Sequence, residues 1–176
     1  MRTVSMRVNG RVRTAEVDER TLLLEFLRDH LLLTGTHNGC LEARCGCCAV
    51  LLNGHSVKSC NVLALQANGG DVTTVEGFAD GSDEPAPFGE AISDQSYSPL
   101  QRAFHEHGAV QCGFCTPGML AVITDLLQRN PDPTPDEVRD GIRGNLCRCT
   151  GYQKIVDAAL AAATEMRTVP AEGSRT

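Results

Sequence analysis

Apolar and polar positions alternate over residues 3–9 and again over 11–17, the period of two that turns one face of a strand inward. Asn9-Gly10 stands between the two runs, and a type I′ turn with φ > 0 at both positions is the hairpin this pair predicts. The period then changes. After Thr21, read as an N-cap, Leu23, Phe26, Leu27 and Leu31 fall at i, i+3, i+4 and i+8, the apolar face of a helix expected to end near Gly35. Alternation returns over 49–52 and 56–58 around a second Asn53-Gly54 pair, and one more strand is expected near 72–75. From residue 98 onward the strand period is gone. Ser98-Pro99 opens a helix with Leu100, Ala103 and Phe104 on one face and Gly108 as its stop. Thr116-Pro117 opens another, with Met119, Val122, Ile123, Leu126 and Leu127 at helical spacing. Thr134-Pro135-Asp136-Glu137 has the capping-box form, and Thr150-Gly151-Tyr152-Gln153 reads as another cap, opening a last stripe through Tyr152, Ile155, Val156, Ala159, Leu160 and Ala163. The expected fold class is α+β: a strand-rich domain over 1–76, a linker over 77–98, a four-helix unit over 99–166 and a flexible tail over 167–176.

Composition narrows the picture. A chain of 176 residues holds one ordinary domain or two small ones, and with aromatics at 4% and no Trp the cores must be aliphatic and thin. The net charge of −6 and the absence of a basic stripe argue against a nucleic-acid partner. The linker carries Asp80, Asp83, Glu84, Glu90 and Asp94 with no Lys or Arg, and reads as a solvated acidic excursion. No apolar run reaches the length of a membrane span, so no membrane insertion is expected. The opening residues read as a strand rather than a secretory leader, so the nine cysteines are expected as reduced thiols in a cytoplasmic protein.

Those cysteines carry the candidate chemistry. Gly39-Cys40-Leu41-Glu42-Ala43-Arg44-Cys45-Gly46-Cys47-Cys48, answered by Cys60, has the four-then-two spacing and distant fourth thiol of a plant-type [2Fe–2S] ferredoxin loop. Structural zinc more often draws on two tight knuckles, and this run has one. Gly39 and Gly46 suit a backbone that must turn close to inorganic sulfide. Two hairpins with a helix across them is, by analogy, the β-grasp arrangement of plant-type ferredoxins.

A second set lies in the helical half. Cys112-Gly113-Phe114-Cys115 precedes one helix and Cys147-Arg148-Cys149 another, so two helix starts facing one another in a bundle would offer four thiolates to one anionic group. On spacing alone a [2Fe–2S] cluster, a zinc ion and a redox dithiol all remain open. Cys47 makes a ninth thiol for eight ligand places and reads as a small loop residue. His37, His55, His105 and His107 are not spaced for a Rieske centre. Arg148, between two candidate ligands, is a candidate donor to sulfur.

The stretches Gln111-Cys112-Gly113-Phe114-Cys115-Thr116-Pro117-Gly118 and Gly144-Asn145-Leu146-Cys147-Arg148-Cys149-Thr150-Gly151-Tyr152, with the loop after Gly39, resemble the small iron–sulfur subunit of the xanthine oxidase family of molybdenum hydroxylases. The resemblance covers roughly residues 3–166. It implies two [2Fe–2S] clusters, one on Cys40, Cys45, Cys48 and Cys60 and one on Cys112, Cys115, Cys147 and Cys149. It also implies a medium subunit with FAD and a large subunit with a molybdopterin cofactor, often the cytosine dinucleotide in bacteria, in a heterotrimer or its dimer. Gln111 and Cys149 would lie against the pterin; read without the resemblance, Gln111 merely caps the helix end after Gly108. Electrons would travel from molybdenum through the second set, then the first, to FAD, with no substrate chemistry on this chain. The family position of Cys47 is commonly Ala, and the 77–98 segment is longer than in compact members. A free two-cluster ferredoxin and a zinc-bearing assembly factor are the rival readings.

Overall fold

A computed structural model of the chain describes residues 1–78 and 97–168. Both Asn-Gly turns form as their residues dictate, with Asn9 and Asn53 at φ 48° and 52° and the following glycines at 83° each. The first joins β1 (Arg2–Val8) to β2 (Arg11–Val17), and the second joins β3 (Ala49–Leu52) to β4 (His55–Lys58). A short β5 (Asp71–Thr73) runs parallel to β1 and antiparallel to β3, giving one mixed sheet of order β2-β1-β5-β3-β4. Buried Asn9 ties this joint, accepting from the Thr74 amide at 2.9 Å and donating to its hydroxyl at 3.0 Å.

The first helix departs from its expected form. α1 (Leu23–Glu25) runs into a π-helical turn over Phe26–His30, closed by the Leu31 amide donating to the Phe26 carbonyl at 3.1 Å. Its cap is Leu22 rather than Thr21, and the Glu25 carboxylate reaches back to accept from the Leu22 amide at 2.8 Å, the half of a capping box that needs no cap hydroxyl. The helix stops at His30, short of Gly35, where Leu32 takes a left-handed φ of 59° and the Leu33 amide bonds back to the Leu27 carbonyl. Leu23, Phe26 and Leu27 are fully buried against Val4, Met6, Val8, Val50 and Val72 of the sheet. At about 1.5–3 kcal/mol for each large side chain buried, this layer is the first half's main source of stability.

Four helices follow among the described residues: α2 (Pro99–Glu106), α3 (Thr116–Arg129), α4 (Pro135–Gly141) and α5 (Gln153–Thr168). The capping boxes at Ser98–Gln101 and Thr134–Glu137 both form reciprocally. α5 packs on α2 and α4, and α3 on both of those, around Phe104, Met119, Ile123, Val138 and Ile155. Arg167 and Thr168, assigned to the tail by their sequence, continue α5, with the Arg167 guanidinium reaching the Pro131 carbonyl at 2.8 Å. The rest of that tail and residues 79–96 of the linker lie outside the described residues. No described helix is long and apolar enough to cross a membrane.

The two halves meet face to face. α3 lies against β3 and β4, and buried Asp125 accepts from both the amide (3.2 Å) and hydroxyl (2.7 Å) of Ser56. This joint sets the cysteine loop of the first half beside the cysteine segments of the second.

Candidate metal centres

Gly46 sits at the hinge of the first cysteine loop, buried and at φ 73°, where a non-glycine residue would be strained. A Cβ there would fall 2.5 Å from both the Asn145 side chain and the Gly144 carbonyl, so the loop can approach the second half only as glycine. Gly118 performs the same service from the other side, since a Cβ on it would lie 2.2 Å from the Gly46 carbonyl oxygen. Through these gaps the Asn145 amide donates to the Gly46 carbonyl at 3.0 Å and the Leu146 amide to the Cys45 carbonyl at 2.8 Å. Leu146 immediately precedes Cys147, so one hydrogen bond links a cysteine of the first set to the neighbour of one in the second.

The eight predicted thiols fall into two neighbourhoods, each of two close pairs. In the first, the Cys45 amide donates to the Cys40 sulfur at 3.4 Å, joined by the Glu42 amide at the same distance, and Cys48 and Cys60 share a small buried cluster with Leu24. In the second, the Cys149 and Cys112 sulfurs are 3.5 Å apart, and Cys147 packs against the core that contains Cys115. All nine cysteines are free thiols, and no group of three or more His, Cys, Asp and Glu side chains among the described residues converges as for a single metal ion. Paired thiols suit instead a binuclear group in which each iron takes two of them. Backbone amides aimed at the Cys40 sulfur hold its pKa down to about 7, which favours the ligating thiolate. The glycine-lined loop is a further point of fit: a Cβ on Gly39 would stand 2.8 Å from the Cys45 sulfur.

Burial pushes the Cys47 thiol up to about 12, but it also pushes Cys48 to about 11 and Cys115 to about 12. Burial therefore does not separate the ninth thiol from the other eight. Cys47 packs in the apolar core of the helical half, as Cys115 does, with its sulfur 4.0 Å from the Cys45 carbonyl.

Exposure differs sharply around the second set. Cys115 is buried, whereas Cys112 and Cys149 are exposed, flanked in sequence by exposed Val110, Phe114 and Leu146. Gln111 is exposed beside Cys112 and does not cap α2, whose end is closed by the Gly108 and Ala109 amides bonding back to His105 and Phe104. His37 stacks on Phe114 with ring centres 4.8 Å apart and bonds the Phe114 carbonyl through Nδ1 at 2.8 Å, so it holds the Cys112–Cys115 loop rather than facing a metal position. Arg148 is exposed and makes no hydrogen bond among the described residues; the side chain that meets sulfur in this segment is Thr150, its hydroxyl oxygen 3.0 Å from the Cys147 sulfur. Sequence spacing did not single out Thr150, because only the turn after Cys149 brings its hydroxyl back.

Comparison with known proteins accounts for both sets. A family model described as a 2Fe-2S iron–sulfur cluster binding domain matches residues 6–73, and one described as a [2Fe-2S] binding domain matches residues 74–160. The nicotine 6-hydroxylase small subunit of Paenarthrobacter nicotinovorans is 46% identical over 157 residues, covering 89% of this chain and 87% of the relative. The chain belongs to the small iron–sulfur subunits of the xanthine oxidase family of molybdenum hydroxylases. The caffeine dehydrogenase subunit gamma of Pseudomonas sp. (strain CBB1) is 45% identical to this subunit, covering 88% of it and 87% of the relative. In the solved structure of quinoline 2-oxidoreductase from Pseudomonas putida 86, one chain matches the subunit with a TM-score of 0.83 and 41% identity, covering 95% of the subunit and 96% of that chain. The subunit thus serves electron transfer within a multi-subunit oxidoreductase.

Proposed function

We propose that Cys40, Cys45, Cys48 and Cys60 hold one [2Fe–2S] cluster and Cys112, Cys115, Cys147 and Cys149 a second, and that the subunit relays electrons from a molybdopterin cofactor on a large subunit to FAD on a medium one. The observation that supports this is that Cys40 lies beside Cys45 and Cys149 beside Cys112, with the two cysteine segments joined by the Cys45–Leu146 hydrogen bond. When bound, each cluster supplies a one-electron couple. The chain's own residues then do three things. Thiolates ligate, the amides of Glu42 and Cys45 offset negative charge at Cys40, and the Gly46–Gly118 contact keeps the two sets adjacent.

The finer assignments follow from the same reading. The first half, over 1–76, is a β-grasp ferredoxin-like domain; residues 99–166 form a four-helix bundle, and 77–98 join them. Exposed Gln111 and Cys149 meet the pterin, proposed as the cytosine dinucleotide form, in a cytoplasmic heterotrimer or its dimer. The apolar residues around the exposed Cys112–Cys149 pair, with Phe114 46% and Leu146 56% exposed, favour a subunit buried in a complex over a freely diffusing carrier. Iron and sulfide analysis of the assembled complex tests the proposal: about four irons and four sulfides per chain are expected, with two distinct EPR signals on reduction. Zinc in place of iron, or a single signal, would overturn it.

A further inference from the structure

We infer that the hydroxyl of Thr150 is a positioning donor that sets the reduction potential of the second cluster through Cys147. This rests on the assignment of Cys147 as a ligand made above. The loop from Cys147 to Tyr152 closes on itself through three contacts. The Cys147 amide donates to the Tyr152 phenol oxygen at 2.9 Å, the Tyr152 amide donates to Thr150 Oγ1 at 3.1 Å, and Thr150 Oγ1 lies 3.0 Å from the Cys147 sulfur. Tyr152 is held at a φ of 70° to make this ring. The direction of the last contact follows from chemistry. A metal-bound thiolate has no proton to give, and the Tyr152 amide already occupies one lone pair of Oγ1, so the threonine hydroxyl is the donor and the sulfur the acceptor. Thr150 Oγ1 has no other partner among the described residues, which leaves its proton free for sulfur.

A donor aimed at a ligating sulfur stabilises negative charge there. Reduction adds negative charge to the cluster and its thiolates, so the bond strengthens in the reduced state and raises the potential. In a chain carrying two clusters, such a donor on one of them biases which is reduced first.

The test is redox titration of the assembled complex followed by EPR, with the signals assigned by Cys60→Ser, which removes that of the first set. Thr150→Val keeps the shape and deletes the hydroxyl; the midpoint of the second-set signal is expected to move to more negative potential while the first stays put. Thr150→Ser restores the donor and is expected to return the midpoint to that of the wild type. Equal midpoints in wild type and Thr150→Val, a Thr150→Ser variant that behaves like Thr150→Val, or equal movement of both signals would each overturn the inference. Thr150→Ala is titrated in parallel, and loss of the second cluster from both the Val and Ala variants also overturns it, because the hydroxyl would then serve assembly rather than potential. A wild-type complex lacking a second signal would instead refute the two-cluster reading itself.

Discussion

The side-chain amide of Asn145 donates to the backbone carbonyl of Gly46 at 3.0 Å, with both residues buried, and so pins the first cysteine loop to the segment that leads into Cys147. Removing the amide takes away one of two donors, since the buried Gly46 carbonyl also accepts from the Ala49 amide at 3.0 Å. Asn145→Ala is therefore expected to cost about 0.5–1.5 kcal/mol of stability, the net worth of one hydrogen bond, read as a lower urea midpoint. An unchanged midpoint would mean that water takes over the bond.

Gly118 gives a prediction whose sign runs against helix propensity. In an exposed helix, Gly to Ala gains roughly 0.8–1.0 kcal/mol. In α3 the added methyl would lie 2.2 Å from the Gly46 oxygen, backbone that cannot swing aside. Gly118→Ala should destabilise the protein by about 1–3 kcal/mol, as overpacking does, and a rise in thermal midpoint would contradict the packing described.

The ninth thiol separates from the other eight by spectroscopy. Cys47→Ala is expected to leave both EPR signals of the reduced complex, whereas Cys60→Ser removes one and spares the other. Loss of the first-set signal from Cys47→Ala would mean that Cys47 ligates. Loss of both signals from Cys60→Ser would mean that the sets are not independent.

How much of this was legible beforehand depends on how local the cause is. The Asn-Gly turns, the helix start at Ser98-Pro99 and the box at Thr134 are set by residues within four positions of one another, and they form as their sequence predicts. The cysteine spacing is also local, and family models for two [2Fe-2S] binding domains match the two halves that carry it. The π turn after α1 was not legible, because the spacing of Leu23, Phe26 and Leu27 suits either ladder until packing on the sheet chooses one. Nor were the placement of β5 between β1 and β3, the Gly118 contact or the return of Thr150 to Cys147. Those depend on residues brought together by the fold, or by a φ that Tyr152 adopts only inside its own loop.

Asp125 supplies a pH dependence. Burial opposes its ionisation, but the Arg129 guanidinium at 3.0 Å and both donors of Ser56 outweigh it and hold the carboxyl below the usual carboxylate range. A lowered folded pKa means stability that is fully present above the unfolded pKa of about 4 and is lost as pH falls through the folded value. Urea midpoints taken through that acid window should fall more steeply for wild type than for Asp125→Asn. Parallel slopes would remove Asp125 as the source.

Cys112 and Cys149 stand at the surface while Cys115 lies beneath them, and this gives the helical half a weather side. Dioxygen and other small oxidants arriving from solvent meet that rim first. On the proposed reading, in which a partner's cofactor meets Cys149, assembly would also shelter that rim from oxidation.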